Sequence, residues 1–297
     1  MLIDEADCIG ACIDHRLTIG FDHVVVTDLG GTDGSREIVE SRLASGRVTI
    51  LPGSQALDSD WHAKMLELAV DHLQADFVAH IDPDEFWIPT SGNCQTLEGL
   101  GSTDVFSVTR FNAVQVASEV TKGRVLRPRS FMEQIVYVER PVLGRDAPML
   151  TGLYQARVGP KVMHRAVNAK IAAGAHFVTS EALTVTRVPK DVVILHFPLS
   201  SYDHFDRKLA NAADFLNANP KLPKKSAWHW RRFVEAKAQG RLPEEYAAQF
   251  LPAKCLQEAV ATGRFLPLFA VLEELKGRYY DYSRPPQSKI ESQDARS

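Results

Sequence analysis

Phe77-Val78-Ala79-His80-Ile81-Asp82-Pro83-Asp84-Glu85-Phe86-Trp87 decides how this chain is read. Four apolar residues and a histidine, together strand-forming, run straight into three acids within four positions. At the carboxyl end of a buried strand, Asp82 and Asp84 would face the crevice where open α/β sheets bind ligands. Three acids so close repel one another, and a cation is the obvious neutraliser. Hard divalent ions such as Mn²⁺ or Mg²⁺ combine carboxylate with phosphate oxygens, so this spacing predicts a metal on Asp82 and Asp84 that also holds a nucleoside diphosphate. Pro83 stiffens the turn and removes one backbone donor. The competing reading is a solvated acidic turn with a helix cap.

Upstream, Asp7 to Ile19 carries apolar residues at helical spacing and Gly20 closes it. Val24-Val25-Val26 is a short apolar run typical of a buried strand that ends at Asp28. Leu29 to Gly34 forms a Gly-rich turn, Ser35 to Leu43 a second helix, Val48 to Leu51 a second strand, and Asp60 to Leu73 a third helix. Alternation of helix and strand over the first 87 residues predicts a mostly parallel, Rossmann-type sheet covered by helices. Asp28 at its strand end is placed to hydrogen-bond a base or ribose. Asp33 reads better as a turn former or cap.

Downstream the texture changes. Stretches 105–111, 135–138, 162–164, 184–188 and 192–197 are strand-like and separated by loops rich in Gly, Pro and Arg, which predicts a mixed-sheet extension. Helical patterns follow from Tyr202, with a stripe at Tyr202, Phe205, Leu209 and Leu216. The expected organisation is a domain over 1–200, divided into a nucleotide-binding half (1–112) and an acceptor half (113–200). A helical region (201–282) and a polar, disordered tail (283–297) with Pro285-Pro286 complete it.

Composition narrows the function classes. With 34 Lys plus Arg against 37 Asp plus Glu among 297 residues, the net charge is −3, and no basic field suggests a nucleic-acid partner. No apolar window reaches the length of a transmembrane segment, and an N-terminus acidic from Asp4 is no secretory signal. Four scattered cysteines (Cys8, Cys12, Cys94, Cys255) read as reduced, mostly buried thiols of a cytosolic protein, and the expected location is the cytoplasm, with the inner membrane face as a peripheral alternative.

Taken in order, Asp4-Glu5-Ala6-Asp7, Leu17 to Val24, Asp28 to Ser35 and Asp82-Pro83-Asp84-Glu85-Phe86 resemble the family 2-like glycosyltransferases of the GT-A fold, in the branch whose motif reads Asp-x-Asp-Glu-Phe. The likeness runs over residues 4–112 and is patchy over 155–210. It implies a GT-A-like fold and an inverting hexosyl transfer from a nucleotide-diphosphate sugar to a glycan or other hydroxyl acceptor, as in surface polysaccharide or glycan synthesis. It implies Asp28 near the base or ribose, Asp82 and Asp84 on the metal, and Glu85 on the acceptor side. Gly159-Pro160-Lys161-Val162 and Leu195-His196-Phe197-Pro198 sit where that branch tends to carry a Lys and a strand-borne His. Lys161 is thereby implied against phosphate and His196 in the metal shell. Taken alone, Lys161 reads almost as readily as an exposed loop lysine, and a histidine on a strand more often as a satisfied core residue.

The family's first strand normally runs five or six residues ahead of the Asp-Glu-Ala-Asp segment, and here only Met1-Leu2-Ile3 precede it. A late start or a shortened pocket wall would explain that. Trp228 to Arg232 form an aromatic-basic run that reads as helix packing with a solvated edge, and Arg127 and Arg129 as a loop. Glu133 and Asp146 fall in the acceptor half, but neither stands out as the general base, which stays unassigned. A non-catalytic sugar- or nucleotide-binding scaffold of the same fold is the main rival. A phosphatase with Asp-x-Asp after its first strand is the other, and here the motif comes too late in the chain.

Overall fold

The computed structural model describes residues 2–53, 61–116, 131–138, 152–156, 158–223, 227–261, 263 and 265–277. Arg127, Arg129, Asp146 and the 283–297 tail lie outside them. The first half runs α1 (Ile9–Thr18), β1 (Val24–Asp28), α2 (Ser35–Glu40), β2 (Val48–Pro52), α3 (Trp61–Glu67), β3 (Phe77–Ala79), β4 (Glu85–Pro89), β5 (Val105–Val108) and β6 (Arg110–Asn112). There follow β7 (Ile135–Tyr137), β8 (Lys161–Arg165), β9 (Lys170–Ile171), β10 (Val178–Thr179), β11 (Thr186–Arg187) and β12 (Val192–His196). The C-terminal part holds α4 (Tyr202–Ala218), α5 (Trp228–Ala238), α6 (Leu242–Ala247), α7 (Ala253–Ala261), β13 (Phe265–Pro267) and α8 (Leu268–Gly277).

The expected mostly parallel sheet is not what forms. β1 and β2 do pair in parallel, and Leu2 adds a parallel bridge to Asp28. Beyond them the order is β11-β5-β8-β3 in one sheet and β4-β12-β6 in another, with β13-β7 and β10-β9 as separate pairs. β8 runs antiparallel to both β3 and β5, and β12 runs antiparallel to β4 and parallel to β6. The described sheets are therefore mixed and mainly antiparallel, with helical flanks, and the GT-A-like Rossmann-type class is overturned. The reason lies in the connections. A parallel pair needs a crossover of about a dozen residues or more, usually a helix. Only loops join β3 to β4 and β5 to β6, so the strands meet partners from distant parts of the chain instead.

Thr109 divides the single strand expected over 105–111. Its carbonyl accepts the Ile194 amide, and the chain passes from β5 in one sheet to β6 in the other. β4, which directly follows the acids, is buried along its whole length. Because successive side chains alternate across a strand, Phe86 and Ile88 join Phe111, Leu195, Leu272 and Cys12 in one core. Trp87 joins Phe106, Met163 and Ile194 in another. The acidic turn is thus anchored from both sides of a strand that cannot shift. A third core of Phe205, Leu209, Phe233 and Leu242 seats α4 and α5 beside it.

Candidate functional site

The backbone of the acidic turn is held from three directions. Arg16 Nη2 of α1 donates to the Asp82 carbonyl at 2.8 Å, and the Phe197 amide donates to the Asp84 carbonyl at 2.9 Å. The Asp82 amide donates to Glu85 Oε2 at 3.1 Å. The β4–β12 register then sets Glu85 opposite His196. Residues more than a hundred positions apart become neighbours through one antiparallel ladder.

Each acid of the turn meets a cation. Lys161, at the start of β8, is 1% exposed, and its Nζ lies 2.6 Å from Asp82 Oδ2 and 3.5 Å from Glu85 Oε2. It is not the exposed loop lysine of the competing reading. Packing raises the Asp82 carboxyl, but Lys161 outweighs it and holds the group below its ordinary range. Asp84 Oδ2 lies 3.1 Å from Lys208 Nζ and 3.6 Å from His196 Nε2. Burial opposes ionisation there too, yet Lys208 and His196 keep the Asp84 carboxyl well below the usual range. Glu85 is fully buried and bonded to Arg110. Burial and the charge of Asp82 prevail over Lys161 and Arg110, so its carboxyl titrates above the ordinary value. Glu85 stands behind the crevice wall, without surface of its own for an acceptor.

His196 has a defined orientation. Asn112 donates its amide hydrogens to the carbonyls of Leu153 (2.9 Å) and Ala156 (3.1 Å), which leaves its Oδ1 as the acceptor for His196 Nδ1 at 2.7 Å. Nδ1 therefore carries a proton, and Nε2 faces the Asp84 carboxylate. Such a fixed ring orientation is what a metal-ligating imidazole needs.

The Asp4-Glu5-Ala6-Asp7 segment links this cluster to the Gly-rich turn. Glu5 Oε1 is 3.0 Å from Lys208 Nζ, its Oε2 is 3.4 Å from His204 Nε2, and Cys8 donates its thiol to Oε2 at 3.1 Å. Asp4 accepts from the Thr32 amide at 2.8 Å and from Asn211 Nδ2 at 3.0 Å. Asp28 is buried, with Oδ1 on the Gly30 amide (3.0 Å) and Oδ2 on Arg36 (2.8 Å), so both oxygens serve its own turn. Asp33 bonds Ser35 and the Ala6 amide, a turn former as read from the sequence. Glu133 is exposed on the short turn Phe131–Glu133.

Asp84, Lys208, His204, Cys8 and Ser200 line a narrow crevice between the acidic turn and α4. Asp84 and His196 offer one carboxylate and one imidazole, a donor set that fits a hard divalent ion completing its shell with phosphate and water. Asp82 is drawn to Lys161 instead, and among the described residues no three His, Cys, Asp or Glu side chains converge on one point.

The sequence reading missed Lys208, Arg110 and Asn112, and it set His229 aside as part of a helix-packing run. His204, Lys208 and Asn211 follow at i, i+4 and i+7 on α4, a polar stripe beside Phe205 and Leu209 that helical spacing alone displays. Arg110 and Asn112 alternate with buried Phe111 along β6, so one face of a three-residue strand carries both. His229 shares the buried face of α5 with Arg232, Phe233 and Ala236. Burial, aided by the charges of His196, Lys208 and Arg110, lowers its imidazole to about 4. The start of α5 therefore looks into the same cationic space.

Of the four cysteines, Cys8, Cys12 and Cys94 are buried and Cys255 is exposed. Among the described residues no helix is long and apolar enough to cross a membrane. No protein-family model matches the sequence, and no curated protein matches it. Among solved structures the chain is similar to S. aureus TarS 1-349, at 13% identity and a TM-score of 0.34, over 94% of this chain and 91% of that one. A superposition that loose leaves the functional reading to the chemistry of the site.

Proposed function

We propose that this protein transfers a sugar from a nucleoside-diphosphate sugar to a hydroxyl acceptor, with Mn²⁺ or Mg²⁺ as cofactor. The observation that carries the reading is the pairing of Asp84 Oδ2 with His196 Nε2, 3.6 Å apart, where Asp84 lines the crevice together with Lys208. A carboxylate oxygen and an imidazole nitrogen this close could serve together as ligands to one divalent ion. Asp84 and His196 would hold the metal, which when bound would neutralise charge developing on the departing diphosphate. The 56% exposed Asp82 carboxylate, steadied by Lys161, is available to sugar hydroxyls. Lys161 also supplies positive charge beneath the phosphates. Glu85 orients Arg110 and Lys161 from behind, and Asp28 shapes the turn under the nucleoside.

Transfer with inversion is a direct displacement: the acceptor oxygen attacks the anomeric carbon as the diphosphate leaves, and the acceptor proton passes to a general base. The test is titration calorimetry of UDP and GDP with and without Mn²⁺, followed by a donor screen for released nucleoside diphosphate. Metal-dependent binding that D84N abolishes supports the reading. Binding indifferent to both Mn²⁺ and Asp84 refutes it, and sugar binding without turnover would favour a scaffold.

A further inference from the structure

Lys208 stands in the way of the cation just described. Its Nζ bridges Glu5 Oε1 at 3.0 Å and Asp84 Oδ2 at 3.1 Å, two acids 79 residues apart in sequence, and the side chain is 26% exposed to the crevice. An ammonium and a divalent ion on one carboxylate oxygen repel strongly at such short range. One must yield, and Lys208 is the mobile one: four methylenes on the rigid α4, with donors free to turn. We propose that Lys208 is a diphosphate-binding residue that couples metal to donor, guarding Asp84 when the crevice is empty and turning to a phosphate oxygen when the metal arrives with the nucleotide. This rests on the transferase reading above.

Several observations support the exchange. Glu5 is nearly buried, tied to Cys8 and His204, so it stays behind as a tether after Asp84 is surrendered. The tether keeps the ammonium at the crevice, within reach of any phosphate on a metal at Asp84. The structure also supplies a reason for the fixed setting of α4. Asn211, one turn beyond Lys208, bonds Asp4, and His204, one turn before it, meets Glu5, so the helix is pinned on both sides of the lysine. Only the side chain is left to move.

The consequence is a sign difference that a structural lysine would not produce. Metal alone must displace Lys208 and binds weakly, whereas metal with diphosphate gives the lysine a new partner. By thermodynamic reciprocity the same coupling appears whichever ligand is added first. The experiment measures Mn²⁺ affinity without nucleotide, by electron paramagnetic resonance, and UDP or GDP affinity at saturating Mn²⁺, by calorimetry, for the wild-type chain, K208Q and K208R. K208Q should bind Mn²⁺ alone about tenfold more tightly and the nucleotide about tenfold more weakly, the loss of one charge-assisted bond. K208R keeps the charge and should hold both affinities within about threefold.

Parallel weakening of both ligands in K208Q, or no change in either, overturns the proposal. So does a K208R that loses the nucleotide as fully as K208Q; if K208Q proves unfolded by circular dichroism, the wild-type chain decides, because a Mn²⁺ affinity that UDP and GDP leave unchanged overturns the proposal. A wild-type chain that binds no nucleotide with Mn²⁺ refutes the transferase reading itself and this inference with it. Failure confined to the variants refutes the inference alone.

Discussion

Replacing Lys161 with methionine tests how the acidic turn is kept together. The ammonium is 1% exposed and lies 2.6 Å from Asp82 and 3.5 Å from Glu85. At an effective dielectric near 20, the attraction to Glu85 alone is about 5 kcal/mol before desolvation is counted. Most of that does not survive as stability. Methionine no longer carries a buried charge, Arg110 still serves Glu85, and Asp82 is exposed enough to recover water. Stripping a buried pair of one partner costs about 3–5 kcal/mol when nothing else compensates. With Arg110 in place, K161M should lose about 2 kcal/mol, or about 4 °C in Tm for a chain of this size.

The loss should also depend on pH. Folding raises the Glu85 carboxyl above its unfolded value of 4.5, so the folded state favours the protonated form. That contribution is fully present below pH 4.5 and is lost as pH rises through the higher folded value. Without Lys161 the folded value moves further up, and the K161M deficit should be greater at pH 8 than at pH 5. Urea unfolding at both pH values, with E85Q and the K161M/E85Q pair completing a cycle, measures it. The double variant should recover most of the stability lost in K161M. A K161M chain within about 0.5 kcal/mol of wild type at pH 8, or a double variant no better than the single, would show that Lys161 is not the counter-charge of Glu85.

Other substitutions probe neighbouring features. In D84N without metal, the stability difference from wild type should be present above pH 3.8, where folding holds the Asp84 carboxyl ionised, and should shrink as pH falls through its depressed folded value; an acid titration followed by tryptophan fluorescence reads this, and a pH-independent difference would contradict it. Arg232 Nη2 lies 2.8 Å from Glu245, which has no exposed surface, so R232M should cost about 3 kcal/mol in urea unfolding and R232M/E245Q much less. Gly20 closes α1 at φ +96°, where an added Cβ would fall 2.0 Å from Asn93 Oδ1. G20A should therefore destabilise by about 2 kcal/mol in thermal melting, and a neutral result would mean that the turn relaxes freely.

How much of the site the sequence displayed depends on the reach of each interaction. The Asp82-Pro83-Asp84-Glu85 turn, its preceding strand and the Asp28 and Asp33 turns are local, governed by residues a few positions apart. Lys161 and His196 stood out only through resemblance, and their contacts with Asp82 and Asp84 depend on β8 and β12 running beside β3 and β4. Lys208 and Arg110 carried a readable periodicity but no indication of what their polar faces would meet.

Local propensity and hydrophobic period thus determined where most helices and strands begin and end, from the three valines of β1 to the helices after Tyr202. Helix–strand alternation also suggested a parallel sheet, and that inference failed. Only the tertiary structure decided strand partners, because pairing direction is settled by the length of each connection and by which buried faces can close on one another. The same closure brought three cations onto the acids of one turn. Electrostatic attraction acts through space, and a one-dimensional pattern carries no distances.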